Sequence, residues 1–300
     1  MKKKTYLFAL MAMVLTLGSC SDNENGIGGE TSKYITVSTS IGNMTRVATD
    51  ANGGQTFEEG DEISVYAWIG APTVAPETRE RVVNNAINKL TNGSWVATPQ
   101  MLWKNNRDKH YFIGVYPTAA ISDLSAGEYT FDANKQTESD LLVAVNPDGL
   151  SYSADAQQTV PLTFTHVMAK LAVNLTYKNQ WGGIPTVEKV VVGNAAKEAT
   201  INYLTKVVTP STTAKEDFSL PEITENTKYV SVIIPQEDVK QLTIVIGGKN
   251  FVYDNGTPFK LESGKITTVN LEVGRDEIKL GDVKITNWED GSTFSGEALN

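Results

Sequence analysis

The sequence predicts an all-β protein of two tandem β-sandwich domains with antiparallel sheets, on three observations. Short runs in which apolar residues recur with a period of two occupy most of the chain. Clusters of Gly, Asn, Asp and Pro separate these runs, as turns separate the strands of a sandwich. The 300 residues are 40% apolar, which is enough for packed cores, and the length corresponds to about two domains.

The first twenty residues have the pattern of an export signal. Residues 2–4 are lysines, and the apolar run 7–17 is shorter than the ~20 residues of a transmembrane helix. The run ends in Leu-Gly-Ser-Cys (17–20), which resembles the lipobox of bacterial lipoproteins. This resemblance implies removal of the signal peptide 1–19 and acylation of Cys20 with chains such as palmitate, which would anchor the protein to a membrane without spanning it. The alternative is an unmodified cysteine after an ordinary signal peptide.

A flexible tether is predicted between Cys20 and the folded part of the chain. Residues 20–32 contain almost no apolar side chains and several turn formers. Their acidic residues resemble the surface-export signal of Bacteroidetes lipoproteins, and a plain solvated linker is the alternative. Beyond the tether we expect an N-terminal sandwich over residues 33–160 and a C-terminal sandwich over 161–300.

Charge, cysteine content and missing motifs argue against several functions. The 26 basic and 35 acidic residues give a formal charge of −9, whereas nucleic-acid binding requires clustered Lys and Arg. A single cysteine excludes intramolecular disulfides and multi-cysteine metal sites. The sequence has no G-x-S-x-G elbow, no phosphate-binding loop and no H-E-x-x-H helix. We therefore expect no enzyme, no cofactor and no metal site, although a Ser/His/Asp triad or a carboxylate pair assembled by folding stays open.

Strands are predicted in order along the chain. In the first, 34–41, the alternating residues Ile35, Val37, Thr39 and Ile41 share one face. The longest, 165–177, has apolar residues on one face and polar residues on the other, as in a sheet with one solvated side. The other predicted strands are 62–68, 110–117, 187–192, 229–235, 242–246, 250–253, 265–273 and 283–288. Residues 75–90 fit either a short amphipathic helix or a loop and strand leading into Trp95.

Segments along nearly the whole chain resemble, in the same order, the fimbrillin-like family of Bacteroidales surface lipoproteins, which includes subunits of type V pili. The most specific is the F-x-H-x-x-x-K-L pattern that begins at Phe164. The segments are 35–46, 57–68, 94–117, 139–144, 160–177, 231–236, 263–273 and 285–291. The resemblance implies transthyretin-like, Greek-key sandwiches, no catalytic site, and a role in surface fibres or adhesion.

Arg46 is the processing site that the resemblance implies. In polymerising members of the family, an Arg-specific protease removes the first strand, and a strand of the next subunit fills the open groove. Arg46 lies among small and polar residues, which favour access by a protease, so we expect the cut before Val47. Such a cut would also detach the lipid on Cys20. The alternative is an ordinary exposed loop arginine.

Two functions stay open at this stage. The first is a non-enzymatic fimbrial subunit or fimbrillin-like adhesin of the cell outer membrane, found in the fimbrium after processing. Its partners would be other fimbrial subunits, joined by β-strand addition, and the outer membrane through the lipid. The second is a monomeric, outer-membrane-anchored lipoprotein that binds a glycan or a host ligand without polymerising; a host or bacterial surface glycan or protein would be its partner.

Other side chains are expected to have structural roles. The five tryptophans are expected in cores or corners rather than on a sugar-stacking platform: Trp68, Trp95, Trp103, Trp181 and Trp288. Turn or edge roles are expected for four acidic residues, with a calcium site as the alternative: Asp61, Glu62, Asp108 and Asp140. We expect His166 to be a hydrogen-bonded structural histidine and His110 to be exposed. Residues 278–288 are expected to belong to the protein's own C-terminal sheet.

Overall fold

The computed structural model describes residues 33–42, 48–49, 55–153, 158–254 and 256–288. These residues form β-strands and two single-turn 3₁₀ helices, Thr78–Glu80 and Asn179–Trp181, so the all-β prediction is confirmed. Within the described ranges, no helix has the length and apolar character needed to cross a bilayer.

Ten strands come from the first part of the chain. They are β1 Thr36–Ile41, β2 Ala48–Thr49, β3 Gln55–Thr56, β4 Glu62–Ile69, β5 Arg81–Thr91, β6 Ser94–Thr98, β7 His110–Tyr116, β8 Gly127–Thr130, β9 Leu142–Leu150 and β10 Thr159–His166. Seven of them form one sheet in the order β1-β10-β9-β7-β4-β5-β6, while β2 and β3 pair as a short hairpin. The inner face of the sheet encloses an apolar cluster that includes Ile63, Phe112 and Phe164.

Eleven strands follow. They are β11 Ala169–Tyr177, β12 Val187–Ala196, β13 Glu198–Asn202, β14 Val207–Pro210, β15 Lys215–Leu220, β16 Glu222–Thr224, β17 Lys228–Ile233, β18 Gln241–Ile246, β19 Lys249–Asp254, β20 Lys265–Val273 and β21 Ile278–Asn287. Nine of them form a five-stranded sheet, β16-β17-β11-β20-β21, and a four-stranded sheet, β15-β12-β18-β19. One apolar cluster contains residues of both sheets, such as Leu171, Val190 and Ile244.

Two strand pairs are parallel rather than antiparallel. Strand β1 pairs with β10, and β11 pairs with β20, both in parallel register. Parallel neighbours require a long connection, and in each pair more than 80 residues intervene. Alternation within a strand does not reveal the direction of its partner, which is why the sequence suggested antiparallel sheets throughout.

The predicted single strand 165–177 is wrong, because two strands occupy this stretch. Strand β10 ends at His166 in the first sheet, and β11 begins at Ala169 in the second. Between them, Val167 donates its backbone N–H to Leu141 O at 3.0 Å, which turns the chain from one sheet to the other. The domain boundary at residue 160 stays a prediction, and β10 runs across it. A three-stranded sheet, β14-β13-β8, also joins residues 127–130 to residues 198–210.

The ambiguous segment 75–90 is a strand preceded by a 3₁₀ turn, so the helix alternative is wrong. Strand β5 lies between β4 and β6 in the seven-stranded sheet. Its register against β4 shifts between the pairs of Val65 and Ala67, and Asn85 in this region has a φ of 55°. The irregularity interrupts the period of two, which made the apolar spacing compatible with a helix.

His110 is buried, not exposed as predicted. Its Nδ1 lies 3.1 Å from Asp108 O, and its Nε2 accepts the backbone N–H of Lys104 at 3.1 Å. Burial lowers the pKa of His110, and the neighbouring Asp108 opposes that shift only in part. The 104–110 turn therefore closes around a neutral imidazole.

Candidate functional site: the first strand and its groove

The first strand lies at an edge of the seven-stranded sheet and is held along its whole length. All six residues of β1 pair with residues 159–164 of β10. Just before the strand, Ile35 donates its N–H to Met101 O at 2.9 Å, and just after it, Gly42 donates to Phe164 O at 2.8 Å. The backbone of β1 is thus anchored at both ends as well as along one side.

The two faces of β1 have different chemistry. Ile35 and Val37 are 3% and 6% exposed and belong to the apolar cluster of the sheet. On the opposite face, hydroxyl pairs join β1 to β10, with Thr36 Oγ1 3.2 Å from Thr159 Oγ1 and an equivalent pair at Ser40. This face is in contact with solvent. The apolar inner face of β1 therefore completes the core. The groove that the strand occupies is lined by side chains of the same apolar cluster.

The two edge strands of the sheet, β1 and β6, approach each other across a cleft. Trp95 on β6 donates its indole Nε1–H to Thr39 Oγ1 on β1 at 3.0 Å. The cleft has a volume of about 670 Å³, and both edges line it. Among the described strands, β1 pairs with β10 alone, so its second edge lies along this cleft.

Phe57 closes one end of this cleft with an aromatic cluster. Its ring makes edge-to-face contacts with Trp95, Tyr116 and Phe164, at centroid distances of 5.3, 5.4 and 5.1 Å. Such contacts add ~0.5–1.5 kcal/mol per pair to the burial of the rings. Phe57 directly follows β3, so the cluster fixes the chain just after the β2–β3 hairpin.

Asp61 forms hydrogen bonds with Tyr116 of this aromatic cluster and with the backbone next to Phe57. Its carboxylate accepts the O–H of Tyr116 at 3.3 Å and the backbone N–H of Glu58 at 2.7 Å. Burial raises the pKa of Tyr116 to about 12, and the negative charge of Asp61 acts in the same direction. Tyr116 is therefore a neutral hydrogen-bond donor, and Asp61 has the turn role that the sequence predicted.

A second aromatic contact joins β10 to the end of the last strand. The ring of His166 stacks on Trp288 with a centroid distance of 4.1 Å and an angle of 11°, and its Nδ1 lies 2.8 Å from Asp140 Oδ1. Lys170 Nζ lies 4.3 Å from the centroid of Trp288. This supports the structural role expected for His166, which joins the start of β9 to the end of β21.

The remaining predicted residues are distributed as follows. Cys20 and Arg46 lie outside the described residues, and β1 ends five positions before Arg46. Glu62 forms an exposed ion pair with Lys89, and Asp108 accepts a hydrogen bond from Asn105. Within the ranges given above, no group of three or more His, Cys, Asp or Glu side chains is arranged to hold a metal ion.

All five tryptophans lie in or against the apolar clusters, in the core or corner positions expected for them. Trp68 and Trp288 are buried, and Trp95, Trp103 and Trp181 are half-buried. Sequence reasoning missed the contact of Trp95 with Thr39, which are 56 positions apart. One sequence feature pointed to it: Thr39 is the polar exception among the alternating residues 35, 37, 39 and 41.

Comparison with known proteins agrees with this architecture. A model of the fimbrillin-like family matches residues 45–288. A search of curated protein sequences found no match. Proposed cell adhesion proteins from Bacteroides uniformis and Bacteroides ovatus have similar structures, each with a TM-score of 0.62 and 18% identity over 85% of this chain and 98% of theirs. For a fimbrial protein from Bacteroides vulgatus, the TM-score is 0.52 at 12% identity, over 84% of this chain and 99% of that one.

The likeness to the solved structures shows a shared fold, since the identities are low. The family model, by contrast, matches most of the sequence, including every strand from β2 to β21. The chain belongs to the fimbrillin-like family.

Proposed function

We propose that this protein is a non-enzymatic fimbrial subunit of the cell surface, which assembles by strand exchange after removal of its first strand. One observation carries the proposal. Strand β1 forms part of the core, yet its only covalent connection to the later strands runs through the segment that contains Arg46. Membership of the fimbrillin-like family and the likeness to a fimbrial protein support the same function.

A cut between Arg46 and Val47 would leave β1 bound by non-covalent contacts alone. Departure of β1 would then uncover six residues on the edge of β10 and the apolar cluster beneath Ile35 and Val37. A sheet edge with unpaired N–H and C=O groups accepts a strand from another chain. A neighbouring subunit that supplies such a strand would complete the core again.

The energy that β1 supplies is large enough to favour its replacement. Full burial of Ile35 and Val37 contributes ~1.5–3 kcal/mol each, and each backbone hydrogen bond adds ~0.5–1.5 kcal/mol. A processed subunit without a strand in the groove therefore loses the free energy of these contacts. The loss is a large fraction of the ~5–15 kcal/mol by which a typical domain is stable. Strand insertion recovers this loss, so processing and assembly are linked.

The proposal also includes membrane attachment before processing. Cys20 would carry the lipid after removal of residues 1–19, and residues 20–32 would hold the folded part away from the outer membrane. Since Cys20 precedes Arg46, the cut would release the subunit from the lipid. The anchored form is thus the precursor, and the form without residues 1–46 is the one that assembles.

Sequencing of the N-terminus of surface-isolated protein tests the processing step. We expect the mature protein to begin at Val47, and we expect Arg46→Ala to keep β1 and to remain unassembled. Arg107→Ala is the matched control, because it removes the same side chain at an exposed loop position outside the β1 segment. A lipidated Cys20 on all of the mature wild-type protein would contradict the proposal.

A second candidate is a monomeric anchored lipoprotein that binds a glycan. It is favoured by a cleft of about 250 Å³ that contains two partly exposed aromatic rings, Trp103 and Tyr152, with centroids 6.4 Å apart. Amide side chains of Asn105 and Asn106 line the same cleft. Electron microscopy of cells with labelled protein separates the candidates, since a subunit forms fibres and a monomeric lipoprotein forms a uniform coat. Loss of glycan binding in Tyr152→Ala, together with a uniform coat, would favour this second function.

A further inference from the structure

We propose that Trp95 selects the strand that enters the β1 groove, by requiring a side-chain oxygen at the position of Thr39. The occupant is then an extended segment of a neighbouring subunit in which three alternate residues face the groove. The first two are apolar, and the third carries a side-chain oxygen that accepts a hydrogen bond. In this pattern the apolar residues take the places of Ile35 and Val37. The inference deepens the proposed function and rests on it, because the groove opens only when β1 leaves.

The inner face of β1 shows why an oxygen is needed at one position. Ile35 and Val37 occupy sites that are almost closed to solvent, so these sites accept apolar side chains. Thr39 lies on the same face of the strand, two residues further on, but its side chain is opposite the edge of β6. There its hydroxyl oxygen accepts the indole N–H of Trp95 at 3.0 Å.

Trp95 can only donate at this point. The indole carries one N–H group and no acceptor, so a hydrocarbon side chain at position 39 leaves that group unpaired. Phe57 packs edge-to-face against the same indole, with a centroid distance of 5.3 Å, and holds the ring in the cleft. A valine has nearly the shape of threonine but would cover the N–H without bonding it, which is unfavourable.

The outer face of β1 offers a control position between the exposed hydroxyl pairs of Thr36 and Ser40. Ser38 is exposed on the side of the strand that faces solvent, in the middle of the segment. A change at Ser38 therefore alters the peptide next to Thr39 without altering any group that faces Trp95. This gives a control within the same strand.

Peptide exchange on the nicked full-length protein tests the inference. Residues 43–47 are replaced by the recognition sequence of a site-specific protease, and the cut chain keeps β1 bound. A labelled peptide of residues 33–43 is added in excess, and its incorporation is followed by fluorescence anisotropy. The competing peptides carry Thr39→Val, Thr39→Ser or Ser38→Ala.

We expect the Thr39→Val peptide to bind about 5- to 10-fold more weakly than the wild-type peptide, the low end of the range for an unpaired donor because Trp95 is half-buried. The affinities of the Thr39→Ser and Ser38→Ala peptides should lie within about twofold of that of the wild-type peptide, since each keeps a hydroxyl acceptor at position 39. In a Trp95→Phe protein, which keeps an aromatic ring but lacks the N–H, the threonine and valine peptides should bind equally.

Two results would overturn the selection by Trp95. One is equal binding of the threonine and valine peptides to the wild-type protein, and the other is a preference for threonine that persists in Trp95→Phe. In both cases the peptides exchange, so strand exchange itself survives. If no peptide exchanges, the groove accepts no strand, and both the selection and the proposed function are overturned. The peptide variants leave the protein unchanged, so the comparison on the wild-type protein does not depend on how Trp95→Phe folds.

Discussion

Trp288 is the residue that fastens the end of the last strand, so its side chain should contribute strongly to stability. It is 1% exposed, stacks on His166 and lies beside the ammonium group of Lys170. Truncation of a buried aromatic side chain to alanine lowers the free energy of unfolding by ~3–5 kcal/mol. At ~2–4 °C per kcal/mol for a chain of this size, Trp288→Ala should lower the thermal midpoint by about 6–20 °C.

Three variants of the same region make the measurement specific. Val283→Ala, at a β21 side chain that is 39% exposed, should lower the midpoint by only a few degrees. A chain that ends at Glu289 should melt like the full chain, because residues 290–300 offer few apolar side chains. A chain that ends at Val273 lacks β21 and should lose the cooperative unfolding of the C-terminal sheets. If Trp288→Ala melts within 1 °C of the wild type while the Glu289 truncation melts much lower, the stack is not what holds β21.

Two further predictions concern stability. Val37→Ala should lower the free energy of unfolding by about 2 kcal/mol, since two buried methyl groups are lost, whereas Ser38→Ala on the exposed face should have little effect in the same urea titration. An equal loss for both would show that the inner face of β1 is not the one that packs. Because burial lowers the pKa of His110, protonation favours the unfolded chain, so stability should be complete above about pH 6.5 and should decline as the pH falls below it. His110→Gln should remove that part of the pH dependence, and an unchanged difference between urea midpoints at pH 7.5 and 5.5 would contradict it.

Alternation along the chain predicted the strands better than their partners. The predicted strand 265–273 has the bounds of β20, and the apolar face predicted for residues 34–41 is buried at Ile35 and Val37. The period of two assigns side chains to faces, because successive residues of a strand point in opposite directions. It carries no information on which strand lies beside which, so the parallel pairing of β1 with β10 was not foreseen.

The same limit applies to the groove. The contact of Trp95 with Thr39, and that of His166 with Trp288, join residues far apart in the sequence. Each depends on the curvature of a sheet or on the path of a long connection, which local patterns do not specify. His110 was misjudged for a related reason, since its burial results from a turn that folds back on it and not from its place in a strand.

The two terminal strands of the described chain are both edge strands, but their burial differs in a way that fits the proposed function. The apolar side chains of β1 at positions 35 and 37 are 3% and 6% exposed, whereas Leu280, Val283 and Ile285 of β21 are 37–39% exposed. Loss of β1 therefore opens the core along the strand, whereas most of β21 covers only the edge of β20 and the buried contact lies at its end, in Trp288. Under the proposed function, a precursor with β1 in place would keep this part of the core covered. Removal of β1 would then create the association site, and it would do so only after processing.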